Sequence, residues 1–230
     1  MTNVADKIIV ALDVATAEEA GLLVNRLRGQ ISRFKVGLQL YTAAGPDVVR
    51  EIAKTGAKIF LDLKLHDIPN TVAGAVASAA RLGVDMLTIH LSGGEAMIRA
   101  AVDNATTDLT ILGVTVLTSM NEETLGSVGV SESVEKQVAR LAMLALHCGV
   151  GGLVASPREA AALRAKIPGK MKIVTPGIRP AWAAAGDQKR TTTPRAALDA
   201  GADYLVIGRP IVADPDPVAA VKRVIAEIEA

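Results

Sequence analysis

Eight short apolar runs of β-forming character recur along the chain, and each is followed by an amphipathic segment rich in Ala, Leu, Arg and Glu. They are Lys7 to Leu12, Arg33 to Leu38, Ala57 to Leu63, Met86 to His90, Thr110 to Val116, Gly151 to Ala155, Lys172 to Thr175 and Tyr204 to Ile207. Parallel strands buried on both faces read as near-continuous apolar runs, and the crossover between them is normally a helix, so the alternation describes eight βα units. No linker, low-complexity tract or shift of composition divides them. Eight units favour closure into an α/β fold, a (β/α)8 barrel of the TIM type, over an open doubly wound sheet, with residues 1–230 forming one domain.

Local signals fit the same units. Thr16-Ala-Glu-Glu19 has the form of an N-cap with an acidic first turn, and Ser156-Pro-Arg-Glu159 that of a capping box with Pro at the first helical position. Thr55-Gly-Ala57, Leu82-Gly-Val-Asp85, Cys148-Gly-Val150 and Ala200-Gly-Ala-Asp203 each precede a strand, where Gly ends a helix and permits a tight return.

The composition narrows the function classes. With 25 Lys plus Arg against 24 Asp plus Glu, the net charge of +1 gives no electrostatic basis for binding nucleic acid or an anionic membrane. Aromatic residues are 2% of the chain, too few for stacking platforms. Cys148 is the single cysteine, so an intrachain disulfide is impossible and a buried structural thiol is expected. The N-terminal residues lack the basic-then-apolar pattern of a secretory signal, and no run of about 20 apolar residues is present, so a cytoplasmic protein is expected.

Against that background the stretch Ile59-Phe-Leu-Asp-Leu-Lys-Leu-His-Asp-Ile68 is anomalous, because a charge buried in a strand costs several kcal/mol unless it is paired (about 3–5 when a partner is missing). Side chains alternate along a strand, so Phe60, Asp62 and Lys64 share one face and Ile59, Leu61 and Leu63 the other. Barrel enzymes carry their chemistry at the C-terminal ends of the strands. Polar residues gather at those ends: Asp13, Lys35, Asp62 with Lys64, His90, Thr118-Ser119, Gly177-Ile-Arg179 and Gly208-Arg209. Aspartates and lysines from neighbouring strands can alternate in space, each offsetting the desolvation of the next. A purely structural ion-pair network is the competing reading, and so many charges at one end of a barrel weigh against it.

Gly177-Ile-Arg179 and Gly208-Arg209 follow the last two strands, where barrels often hold phosphate; glycine lets backbone N–H groups approach the anion and arginine grips two oxygens at once. The intervening loop, about Pro180 to Pro194, is long and carries Gly186, Gln188 and Thr191 to Thr193, as a lid over bound phosphate would.

Taken together, Phe34-Lys-Val-Gly37, Asp62-Leu-Lys-Leu-His-Asp-Ile-Pro-Asn-Thr71, Leu117-Thr-Ser-Met120, Thr175-Pro-Gly-Ile-Arg-Pro180, Gly186-Asp-Gln188 and Ile207-Gly-Arg-Pro210 resemble the orotidine 5′-monophosphate decarboxylase family over nearly the whole chain. The resemblance implies decarboxylation of orotidine 5′-monophosphate to uridine 5′-monophosphate in pyrimidine biosynthesis, without metal or other cofactor. It casts Lys64 as the acid that protonates the ring carbon, with Asp62 beside the departing carboxylate. Lys35 corresponds to a ribose contact that completes an alternating Lys-Asp-Lys-Asp array, and Asp13 to a second ribose ligand. Asp67, the last member of that array, and Thr71 correspond to residues contributed across a homodimer interface. Thr118 and Ser119 match positions near the pyrimidine; Arg179, Gln188, Gly208 and Arg209 match phosphate and lid contacts. The chain departs from the pattern at Gln39, which replaces a common acidic residue, at Leu91, where a small residue is frequent, and in a shorter Gly-Asp-Gln loop.

Other residues have plainer expectations. His66 orients the loop or bonds backbone, His90 supports the site from the strand end, His147 belongs to helix packing or surface, and Trp182 anchors the loop against the barrel. Competing functions are a magnesium-dependent keto-sugar-phosphate decarboxylase sharing D-x-K-x-x-D, a Schiff-base aldolase using Lys64 or Lys35, and a barrel that senses phosphorylated metabolites.

Overall fold

A computed structural model describes residues 3–183 and 191–230. All eight expected strands are present: β1 Ile8–Ala11, β2 Arg33–Gly37, β3 Lys58–Leu65, β4 Met86–His90, β5 Thr110–Val114, β6 Gly152–Val154, β7 Lys172–Thr175 and β8 Tyr204–Ile207. Neighbours in sequence pair in parallel, and β8 pairs with β1 to close the barrel. Boundaries differ from the sequence expectation in five strands, by a single residue at each end of β1 and β6 and at the start of β3. Leu38 begins a helix instead of ending β2, β5 stops at Val114, and β3 continues through Asp62 and Lys64 to Leu65. The last extension is possible because the charges point into the barrel mouth, not into the layer of helices.

Two packed layers follow from strand alternation. Ile9, Ala11, Phe60, Met86, Leu112, Val174 and Val206 fill the barrel interior, while Ile8, Val10, Ile59, Leu61, Leu87 and Ile89 join the larger core between strands and helices. The helix caps form as the sequence implies: Thr16 with Glu19 and Ser156 with Glu159 make complete capping boxes. Gly83 and Gly201 adopt φ of 73° and 99°, and each leads to an aspartate that stitches the barrel's N-terminal end. Asp85 accepts the Ile59 N–H at 2.7 Å, and Asp203 accepts the Ile173 N–H at 2.9 Å. Cys148 is buried, and burial pushes its thiol pKa up. Among the described residues no helix is long and apolar enough to cross a membrane.

Candidate active site

The C-terminal mouth of the barrel holds a cavity of about 230 Å3. Asp13, Lys35, Asp62 and Lys64 line it from β1 to β3, Thr118 from beyond β5, and Gly177, Arg179, Gly208 and Arg209 from the segments after β7 and β8. In the strand order β3 lies across the ring from β7, so the ion pairs and the Arg179 loop face each other over the opening.

The charges form a continuous chain. Lys35 Nζ donates to Asp13 Oδ1 at 2.9 Å and stands 3.7 Å from Asp62 Oδ2. Lys64 Nζ donates to both Asp62 oxygens, at 2.8 and 2.9 Å. The side chains of Lys35 and Asp62 are only 10% and 14% exposed, so each ammonium is partly desolvated and held by an opposite charge. Within this chain Asp13 extends the row to four charges, and Asp67, expected to act across a subunit interface, is not part of it. The Asp67 carboxylate accepts the N–H of Ile68 at 2.6 Å, and Asp67 and Thr71 are exposed and outside the cavity. Proximity in sequence does not bring them in, because the chain turns away after Leu65 into the helix Pro69–Arg81.

The other expected contacts divide. Thr118 lines the cavity, whereas Ser119 is exposed and does not. Gln188 and residues 184–190 of the expected lid lie outside the described residues. The base of that loop is pinned: the Arg179 N–H donates to the Thr192 carbonyl at 2.9 Å, and Thr193 caps the helix Pro194–Asp199. Trp182, expected as a hydrophobic anchor against the barrel, is instead 38% exposed and lies against the Arg223 guanidinium, 3.9 Å from its ring centre. Gln39 is exposed on the helix Leu38–Ala44. His147 lies on the surface, bonded to Arg99 at 2.9 Å.

His90 and His66 stand 5.5 Å apart between ring centres at the end of β4. Burial lowers the His90 pKa from its ordinary value, the electrostatic influence of neighbouring His66 and Lys64 lowers it further, and Asp62 opposes them.

Two supporting residues escaped the sequence reading. Thr88, wholly buried in β4, donates its hydroxyl to Asp62 Oδ1 at 2.9 Å and accepts the Lys64 N–H at 2.8 Å. Its signal was a hydroxyl at an inward position of an otherwise apolar run. Gly37 ends β2 where a Cβ would meet Lys35 Nζ at 2.7 Å and Asp13 Oδ1 at 3.2 Å, so the absence of a side chain gives this ion pair its room. Among the described residues no three His, Cys, Asp or Glu side chains form a group placed to hold a metal.

A closed (β/α)8 barrel with an Asp-Lys-Asp-Lys chain at the C-terminal mouth has the architecture of a barrel enzyme. Residues 6–224 match the model of the orotidine 5′-phosphate decarboxylase / HUMPS family, and the chain belongs to that family. It is 52% identical over 233 residues to the orotidine 5′-phosphate decarboxylase of Moorella thermoacetica, covering 97% of this chain and 92% of that one. It is likewise 52% identical over 225 residues to the orotidine 5′-phosphate decarboxylase of Opitutus terrae, covering 96% and 98%. Among solved structures, orotidine 5′-phosphate decarboxylase from Lactobacillus acidophilus superposes with a TM-score of 0.85 at 35% identity, over 98% of this chain and 100% of that one.

Proposed function

We propose that this chain is an orotidine 5′-phosphate decarboxylase, converting orotidine 5′-monophosphate to uridine 5′-monophosphate and carbon dioxide by direct, metal-free decarboxylation. The observation that carries the reading is the Lys64 ammonium fixed on Asp62 inside the cavity of a chain belonging to this family. Loss of carbon dioxide from the pyrimidine leaves an electron pair in the ring plane, where the π-system cannot delocalise it. A cation fixed beside that carbon stabilises the developing charge and then donates its proton, which is the role assigned to Lys64. Asp62 lies beside the departing carboxylate and holds Lys64 through both oxygens. Lys35 and Asp13 orient the ribose, and Thr118 contacts the pyrimidine.

Arg179, Arg209 and the glycines Gly177 and Gly208 receive the phosphate across the mouth, with Gln188 and Ser119 assigned to lid and base contacts. Binding energy gathered at the phosphate then offsets the cost of seating a carboxylate near Asp62. The chain acts as a cytoplasmic homodimer in which Asp67 and Thr71 enter the partner's site. Their exposure beside Ile68, itself 66% exposed, supports that arrangement.

Ultraviolet loss of orotidine 5′-monophosphate in excess chelator tests the reaction. Wild type is expected to turn over undiminished and Lys64→Ala to lose at least about 10³-fold, as when a transition-state contact of this kind is removed. No turnover by folded wild type, dependence on magnesium, or full activity in Lys64→Ala would refute it.

A further inference from the structure

Thr88 occupies the one point where β3 and β4 lose their common register. Leu61 pairs with Leu87 and Leu65 with Ile89, so Asp62, Leu63 and Lys64 together stand against Thr88 alone. Bulges of this kind re-aim side chains beside active sites. Here the re-aimed residue is Lys64, whose φ of 51° is the one positive value for a non-glycine among the described residues. That region is disfavoured for any residue with a Cβ and persists where surrounding contacts impose it.

Thr88 Oγ1 meets the chain at this residue. It accepts the Lys64 backbone N–H at 2.8 Å. A hydroxyl has a single proton, and with this N–H arriving at a lone pair the proton is directed to Asp62 Oδ1, 2.9 Å away, since a carboxylate only accepts. Lys64 Nζ returns to the same carboxylate at 2.8 and 2.9 Å, closing a ring of backbone, hydroxyl, carboxylate and ammonium. Thr88 is wholly buried and does not line the cavity, so it meets no substrate and acts through its two neighbours.

We infer that Thr88 is a positioning residue for decarboxylation: its hydroxyl locks the Lys64 backbone and the Asp62 carboxylate into one unit, setting where the ammonium stands when the carbanion forms. This rests on the proposed reaction and assigns a further residue to it. The alternative role is filling, in which a threonine occupies a buried gap and its hydroxyl merely satisfies a bulge. The two roles separate by chemistry, because Thr88→Val keeps the shape and removes the hydroxyl, whereas Thr88→Ser keeps the hydroxyl and removes a methyl.

The test compares wild type, Thr88→Val and Thr88→Ser for kcat and KM on orotidine 5′-monophosphate, with melting followed by circular dichroism and uridine 5′-monophosphate affinity by calorimetry. Positioning predicts that Thr88→Val lowers kcat about 100-fold while KM and product affinity stay within about threefold, and that Thr88→Ser stays within about fivefold of wild type. The proposal is overturned by a Thr88→Val kcat within about threefold of wild type, by a loss confined to KM, or by equal impairment in Thr88→Ser. If Thr88→Val does not fold, Thr88→Ala replaces it, compared with Thr88→Ser per folded molecule. An alanine variant as active as the serine variant overturns the role, and an inactive one beside an active serine variant supports it. Wild type without turnover would refute the assigned reaction itself, whereas an active wild type matched by Thr88→Val refutes only the part given to Thr88.

Discussion

Gly37→Ala should damage activity while leaving the fold intact. The backbone at Gly37, φ −97° and ψ −179°, suits any residue, so alanine brings no strain and by restricting the unfolded chain tends to stabilise by about 0.4–1 kcal/mol. The new methyl carbon, however, would lie 2.7 Å from Lys35 Nζ and 3.2 Å from Asp13 Oδ1. Ordinary contact begins near 3.4 Å, so the ammonium must retreat by roughly 0.7 Å. At an effective dielectric of about 20, lengthening a 2.9 Å pair by that amount weakens it by about 1 kcal/mol, and solvent at the half-exposed Asp13 reduces the figure. Displacement of Lys35 from its proposed place beside the ribose adds to this, because misplacement by about 1 Å in an active site can cost up to 10²-fold. The expected sum is a fall of about tenfold in kcat/KM, read from initial rates of ultraviolet loss of orotidine 5′-monophosphate, with a melting temperature equal to or above wild type. Wild-type kcat/KM in a folded Gly37→Ala protein would refute the reasoning, as would a loss of activity that merely tracks unfolding.

Gly113→Ala should do the reverse, because its methyl would sit 2.5 to 2.9 Å from three carbons of Leu91, which is wholly buried and has nowhere to go. A loss of about 1–3 kcal/mol, or roughly 2–4 °C in melting temperature per kcal/mol, is expected, partly restored by Leu91→Ala in the same chain; additive losses would contradict the contact. His90 should make stability sensitive to acid. Burial holds its folded pKa below the ordinary 6.5, so the unfolded chain binds the extra proton first, and the contribution is whole above about 6.5 and lost as pH falls towards the folded value. Denaturant midpoints should therefore decline between about pH 7 and pH 5 more steeply in wild type than in His90→Asn, and parallel declines would exclude His90 as the source. If sites are shared between subunits, mixing inactive Lys64→Ala and Asp67→Ala chains should restore roughly a quarter of wild-type activity through mixed dimers, and no recovery despite proven exchange would place Asp67 within its own chain.

Much of this was legible in the sequence because it follows from periodicity. A run such as Tyr204 to Ile207 between a glycine turn and a Gly-Arg pair has few ways to fold other than as a barrel strand, and its boundaries match the structure. The inward face of Phe60, Asp62 and Lys64 was legible for the same reason. Less visible were features that depend on departures from periodicity. The bulge opposite Thr88 cannot be read from period two, since it arises where two strands advance by different amounts. Gly37 and Gly113 act through the volume they leave, for Lys35 and for Leu91, and that volume is defined only once a neighbouring residue is in place. Leu91 looked like an isolated departure from a small-residue position; its buried side chain fills the space that Gly113 leaves on the next strand. Asp67 stands three positions from Lys64 and lies outside this chain's own cavity because the chain turns there towards the next helix, as its assignment to a partner subunit's site requires.

The four charges of the Asp-Lys-Asp-Lys chain sum to zero, while Arg179 and Arg209 add two positive charges across the mouth, and this bears on how a substrate with two anionic groups could enter. Asp62 is already engaged on Oδ1 by Thr88 and Lys64 and on Oδ2 by Lys64, with Lys35 only 3.7 Å off. An arriving carboxylate therefore meets an aspartate whose charge is spread over two ammonium groups, and its repulsion is softened without being removed. In the proposed reaction the negative charge shifts from that carboxylate to the ring carbon as carbon dioxide leaves, and the cation assigned to meet it is the Lys64 ammonium. Its backbone is fixed by the bulge, so the movement left to it is rotation of the side chain from Asp62 towards the carbon. An arrangement of this kind favours the charge distribution of the transition state over that of bound substrate, which is the condition for binding energy to appear as rate.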